Sequence, residues 1–294
     1  VSEPPRPLQR VLLAALLTAL VGLSGGCSLF GRGVDLGVEG VDARWVDLEG
    51  GDRRALVATP AQGEAPPDGR PLVVLLHGLG ADPEFMVEVS GLPAAVARLD
   101  LVVVVPEGVD RSWNAGSCCG TAAADGLDDV EVLRRLITDA PVRFDVDPSR
   151  VYLVGYSNGA MMVHRFLCTD AALVAGAASV AGTDVAGCDP SAPVSFLEVA
   201  GRRDTVVPLD GGDSSAPDLG PFPSVRDSVA GVAAAASCPP PRTGGSAALE
   251  TTIWSPCADG VTVALDVVAE GDHGWSVDEP YPTIDRVLAF WGLA

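Results

Sequence analysis

Three stretches of this chain are near-continuous runs of branched apolar residues: Leu72-Val73-Val74-Leu75-Leu76, Leu101-Val102-Val103-Val104-Val105 and Val151-Tyr152-Leu153-Val154. A strand with one face in water alternates apolar and polar residues, whereas a strand covered on both faces has no polar side to show. Further strand candidates span 43–48, 55–59, 174–180, 194–199 and 261–268, and helix-like stretches span 83–98, 127–139, 158–168, 224–236 and 283–291. Strands that alternate with helices imply an α/β fold: a mostly parallel central sheet with helices on both faces. No helix separates the first two strands, so a leading antiparallel hairpin is expected. The Pro/Gly-rich stretches 211–223 and 239–245 read as surface loops, and one domain is expected over 41–294.

The first 26 residues read as an address. Arg6 and Arg10 precede an apolar run over 11–23 that is too short to span a bilayer, and small residues follow it. This is the pattern of a signal peptide over 1–26. Ser24-Gly25-Gly26-Cys27 resembles a lipobox, with Ser24 where a Leu is usual. Cys27 would then be lipidated, with 27–40 a Gly-rich tether. The other reading is an ordinary cleaved signal with an incidental Cys. Either way the expected location is extracytoplasmic, secreted or lipid-anchored at a bacterial cell surface, with membrane contact through the anchor alone.

Six cysteines remain after Cys27, an even number suited to disulfides in an exported protein. Cys238 with Cys257 brackets one Pro- and Gly-rich excursion, and Cys168 with Cys188 is the second expected pair. That leaves the neighbours Cys118 and Cys119, whose bonding needs an unusual ring. With three His and no C-x-x-C there is no metal-ligand spacing, and neither a metal nor a cofactor is called for. The chain of 294 residues carries a net charge of −20, and its basic residues are all Arg. That excess of negative charge excludes phosphate-neutralising contact with nucleic acid, and its 48% apolar content is enough for a real core.

The chemistry concentrates after the strand that ends near Val154. Gly155-Tyr156-Ser157-Asn158-Gly159 is a G-x-S-x-G set between a strand and an apolar helix, the context in which that pattern presents a serine nucleophile on a sharp turn. The pattern alone is weak, since Gly22-Leu23-Ser24-Gly25-Gly26 fits it too. A serine nucleophile needs a base. His164 falls within the following helix and reads as a packing position, and His77 precedes Gly78-Leu79-Gly80 at a strand end. His273, in the loop between the last long strand and the last helix, is the candidate base. Asp204 follows the strand over 194–199 and is the candidate orienting acid, with Asp184 and Asp210 as rivals. The order Ser157, Asp204, His273 is that of α/β-hydrolases. The backbone N–H groups of Leu79 and Asn158 are the expected oxyanion donors. Trp113 and Trp275 are candidates for substrate contact, and for Trp113 a packed aromatic is the alternative. Asp128 and Asp129 precede an apolar helix and read as caps.

With these residues in place, the sequence resembles the polyhydroxybutyrate depolymerase/feruloyl esterase-like family of secreted α/β-hydrolases, from about position 71 to the C-terminus. The resemblance rests on Leu75-Leu76-His77-Gly78, Trp113-Asn114-Ala115-Gly116 with Cys118-Cys119-Gly120, Asp147-Pro148-Ser149-Arg150-Val151-Tyr152, the serine motif, Asp204-Thr205-Val206-Val207-Pro208 and His273-Gly274-Trp275. It departs at Ser276, where a Pro is common, and at Ala160, where a second Gly is common. The resemblance implies a serine carboxylic-ester hydrolase that works through an acyl-enzyme on feruloyl, acetyl or hydroxyalkanoate-type esters, with a small-molecule or oligomeric ester as partner. The same residues would also serve an acyltransferase or a serine peptidase, and a surface lipoprotein that only binds a ligand is the non-enzymatic alternative.

Overall fold

The computed structural model describes residues 33–50, 53–276 and 281–294. The expected signal segment, Cys27 and the tether up to residue 32 lie outside the described residues. The described strands are β1 (Gly33–Val34), β2 (Val41–Asp47), β3 (Arg54–Pro60), β4 (Arg70–Leu76), β5 (Val102–Pro106), β6 (Val146–Tyr156), β7 (Gly176–Val180), β8 (Ser195–Gly201), β9 (Arg242–Gly245), β10 (Leu249–Trp254) and β11 (Val263–Val268). They form one sheet in the order β1-β2-β3-β5-β4-β6-β7-β8-β11-β10-β9. The block from β5 to β11 is parallel, and antiparallel strands flank it on both sides. The leading hairpin is β2–β3.

The helices are α1 (Pro83–Ser90), α2 (Leu92–Leu99), α3 (Gly120–Ala124), α4 (Asp129–Phe144), α5 (Asn158–Asp170), α6 (Val225–Ala235) and α7 (Thr283–Phe290). The apolar strand runs divide between two cores because successive side chains point to opposite faces. Leu72, Val74 and Leu76 join Leu133, Ile137, Met162, Phe166 and Val229 from α4, α5 and α6. Val73 and Leu75 join Met86, Leu92, Val96, Ile284 and Leu288 from α1, α2 and α7. Burying each such side chain contributes about 1.5–3 kcal/mol, so a continuous run stabilises both layers at once. Among the described residues no helix is long and apolar enough to cross a membrane.

Several elements differ from the sequence expectation. The helix expected over 83–98 is two helices, because Gly91 takes a left-handed φ of 73° and Pro93 follows within the first turn of α2. Residues 239–245, expected as loop, include β9, which pairs with β10. Residues 33–34, expected within the tether, pair with Ala43 and Arg44, and Leu36 packs partly buried against the second core. The disulfides join Cys168 to Cys188, Cys238 to Cys257, and the adjacent Cys118 and Cys119 to each other.

Candidate active site

The parallel strands deliver their C-terminal ends to one edge of the sheet. After β4 the chain moves outward to β5 and then returns to the other side of β4 as β6. Open α/β sheets bind ligands at such a reversal of strand order. His77-Gly78-Leu79 follows β4 there, and Ser157 follows β6 directly.

Ser157 sits at φ 54° and ψ −117°, a conformation that costs a non-glycine residue about 1–3 kcal/mol. The surroundings enforce it. The Ser157 N–H donates to the Val180 carbonyl at 2.9 Å, and the Ser157 carbonyl accepts from Met161 N–H at 2.9 Å. The flanking glycines are required by close approach. A Cβ on Gly155 would come 2.2 Å from the Gly159 oxygen, and one on Gly159 would come 2.5 Å from the Leu76 oxygen.

Two strands bring the partners to this turn. The loop after β8 places Asp204, buried, with Oδ2 at 2.8 Å from His273 Nδ1. The backbone N–H groups of Val206 and Val207 each donate to Asp204 Oδ1 at 2.8 Å, which fixes the carboxylate plane. The loop after β11 carries His273, whose Nε2 lies 2.9 Å from Ser157 Oγ. The Tyr156 hydroxyl donates to the His273 carbonyl at 2.9 Å. Burial, with Asp204 and Asp272 nearby, pushes that phenol up to about 12, so it stays a donor. The rival acids are engaged elsewhere. Asp184 accepts from Ala186 and Gly187 N–H groups within its own turn, and Asp210 pairs with Arg226.

Asn158 is the first residue of α5, so its N–H has no partner within the helix. Its side chain has a separate task. Oδ1 accepts from Trp113 N–H at 2.7 Å, and Nδ2 donates to the Trp113 carbonyl at 3.0 Å. Trp113 Nε1 in turn donates to the His77 carbonyl at 3.0 Å. His77 is buried, with Nδ1 at 2.9 Å from the Gly78 oxygen and Nε2 accepting from Gly108 N–H at 2.9 Å. That acceptor role makes it a neutral imidazole donating from Nδ1, and burial lowers its pKa in the same sense. His77 and Trp113 are thus a brace beneath the loop that carries Leu79.

Both tryptophans named from the sequence as substrate contacts stand elsewhere. Trp113 is fully buried and does not line the cleft at Ser157, because its ring fills the space under the Leu79 loop. Trp275 turns back to donate from Nε1 to the Ser90 carbonyl at 3.3 Å and packs edge-on to Tyr156. The cleft, of about 470 Å³, is walled instead by Leu79, Asp82, Phe85, Arg111 and Tyr156 around Ser157 and His273. Asp82, Phe85 and Arg111 escaped the sequence reading because no motif contains them.

His164 stays in the interior as expected, where Nε2 meets Glu198 at 3.2 Å. The Ser179 hydroxyl donates to the other Glu198 oxygen at 3.0 Å, and burial pushes that carboxyl up. Asp128 caps α4 by accepting from Glu131 N–H at 3.1 Å. Asp129, expected to cap as well, instead pairs with Arg53 and accepts from Asn114 N–H at 2.6 Å. Among the described residues no three His, Cys, Asp or Glu side chains gather so as to hold a metal ion.

No protein-family model matches the chain. A Nocardia uniformis protein named as an esterase, NocK, is 34% identical over 172 residues, 58% of this chain and 50% of that protein. Feruloyl esterase B of Piromyces equi is 29% identical over 201 residues, 63% of this chain and 36% of that one. The matched region thus spans half or less of these two relatives. The acetyl xylan esterase of Aspergillus awamori shares the fold with a TM-score of 0.63 at 16% identity, covering 86% of this chain and 99% of its own. A cold-adapted esterase from an Arctic intertidal metagenomic library follows with a TM-score of 0.51 at 14% identity, covering 88% and 96%. By sequence this chain is similar to proteins named as esterases and feruloyl esterases, and it shares the α/β-hydrolase fold of its structural neighbours.

Proposed function

We propose that this protein is an exported serine carboxylic-ester hydrolase. The observation that carries the proposal is the hydrogen-bonded line from Ser157 through His273 to Asp204, at 2.9 and 2.8 Å, on the C-terminal edge of a parallel sheet. Ser157 Oγ attacks the ester carbonyl carbon while His273 Nε2 takes the hydroxyl proton. Asp204 holds the imidazole with its proton on Nδ1 and stabilises the imidazolium that forms. The backbone N–H groups of Asn158 and Leu79 receive the tetrahedral oxygen. The intermediate collapses with cleavage of the bond to the alcohol oxygen, which leaves with the proton from His273. Water, deprotonated by His273, then attacks the acyl-serine, and the acid departs from a regenerated Ser157. The names of the relatives set the first substrates to try: feruloyl and acetyl esters of sugars.

Export is supported by the three disulfides, which persist in oxidising compartments. Lipidation of Cys27 remains part of the proposal, with the tether shortened to end where β1 begins at Gly33.

The test is hydrolysis of p-nitrophenyl butyrate together with labelling by a fluorophosphonate. Ser157→Ala is expected to lower kcat by about 10⁵–10⁶-fold and to abolish the label. A clean Ser157→Ala preparation that keeps wild-type activity overturns the assignment. Product analysis with an added alcohol separates hydrolysis from acyl transfer, and a matched amide separates esterase from peptidase.

A further inference from the structure

The cleft beside Ser157 has one cationic wall residue in a protein of net charge −20. That residue is Arg111, and its placement is costly. Asp110 and Arg111 are consecutive non-glycine residues with φ of 46° and 56°, a left-handed pair that side chains disfavour. The pair closes a tight turn in which Arg111 N–H donates to the Gly108 carbonyl at 3.2 Å, and the Arg111 carbonyl accepts from Gly80 N–H at 2.8 Å. The turn therefore ties Arg111 to the loop that carries Leu79.

The side chain is oriented from the opposite wall. Asp82 caps α1 by accepting from Phe85 N–H on Oδ1 at 3.0 Å, and its Oδ2 lies 3.3 Å from Arg111 Nη2. A guanidinium has five N–H donors in a rigid fork, so one carboxylate contact leaves others for a ligand. With 61% of the Arg111 side chain exposed, the contact with Asp82 is a weak one that a second carboxylate can join or displace. Leu79 and Phe85 are exposed apolar residues that wall the same cleft.

We propose that Arg111, aimed by Asp82, is a specificity-determining residue that selects esters carrying a carboxylate on an apolar body. Leu79 and Phe85 hold the body and the guanidinium fork receives the carboxylate. The proposal rests on the ester-hydrolase reading of this cleft. Elsewhere the acidic surface repels such a substrate, so the local cation is what admits it.

The experiment compares kcat/KM within two matched pairs of esters. Mono-4-nitrophenyl adipate against 4-nitrophenyl hexanoate places the carboxylate on the acyl side. 4-Carboxyphenyl hexanoate against 4-carbamoylphenyl hexanoate places it on the alcohol side. In at least one pair, Arg111→Gln is expected to lower kcat/KM for the carboxylate ester about tenfold more than for its neutral partner. Asp82→Asn is expected to move the ratio the opposite way, because it removes the competing charge and keeps an oxygen to cap α1. High salt should erode the wild-type preference in that same pair. If both variants leave both ratios within about twofold of wild type, the inference fails while the hydrolase reading stands. If Ser157→Ala retains hydrolysis, the hydrolase reading fails first.

Discussion

Half-buried Ser157 reaches the cleft through a backbone that few serines adopt, and the residues around it hold that backbone. The same holds for the acid. Asp204 accepts two backbone N–H groups on one oxygen and His273 on the other. Asp204→Asn preserves the shape but favours the wrong imidazole tautomer, so kcat for p-nitrophenyl butyrate should fall about 10³–10⁴-fold with a much smaller change in KM. Trp113 shows where sequence reasoning stops at this scale. A tryptophan at the head of a motif signals importance, yet only the contacts to His77 and Asn158 tell a brace from a substrate platform. Trp113→Ala should therefore lower stability by about 3–5 kcal/mol in urea unfolding, and an unchanged unfolding midpoint would contradict its role as a brace. Asp82 and Arg111 were illegible for a different reason: they meet across two loops, and neither loop has a pattern that announces the other.

At the scale of elements, the turn between β6 and α5 was legible because its glycines serve local geometry. Gly159→Ala puts a methyl carbon 2.5 Å from a backbone oxygen of the residue that ends β4, so strand and helix must move apart. Overpacking of this kind costs about 1–3 kcal/mol or more. Activity should fall further than stability does, since the displaced loop carries Leu79; an activity loss no larger than the loss of folded protein would count against this. The edge hairpin β9–β10 was not assigned, although Thr251, Thr252, Ile253 and Trp254 suit a strand. Its other strand, Arg242-Thr243-Gly244-Gly245, reads as loop until Leu249–Trp254 supplies hydrogen-bond partners. Cys238–Cys257 closes the base of that hairpin. In the chain-entropy account, a bond closing a loop of this size contributes about 3 kcal/mol. Replacing both cysteines with serine should lower the thermal midpoint by several degrees and leave the disulfide between Cys168 and Cys188 in place, as mass mapping under non-reducing conditions would report.

Across the whole molecule, buried titratable groups couple folding to pH. Burial lowers the pKa of His77 below the usual 6.5, so the unfolded chain binds more protons in the window between the lowered value and 6.5. The His77 contribution is full above about 6.5 and is lost as pH falls through that window. Glu198 acts in the opposite sense. Burial raises its pKa above 4.5, so its contribution is full below about 4.5 and is lost as pH rises through the raised value. Urea unfolding at pH 7.5 and 5.5 should show a smaller acid loss for His77→Gln than for the wild type; equal losses would remove His77 from the account. By itself the sequence determined the alternation of buried strands and helices, the strained serine turn and the chain order of Ser157, Asp204 and His273. These are legible because side-chain periodicity and glycine geometry are local properties. Only the tertiary structure decided that Trp113 and Trp275 turn away from the cleft and that Arg111 and Asp82 face each other across it. It also decided that His77 is a neutral brace. Those assignments depend on burial and on distances between residues far apart in the chain, which no local pattern encodes.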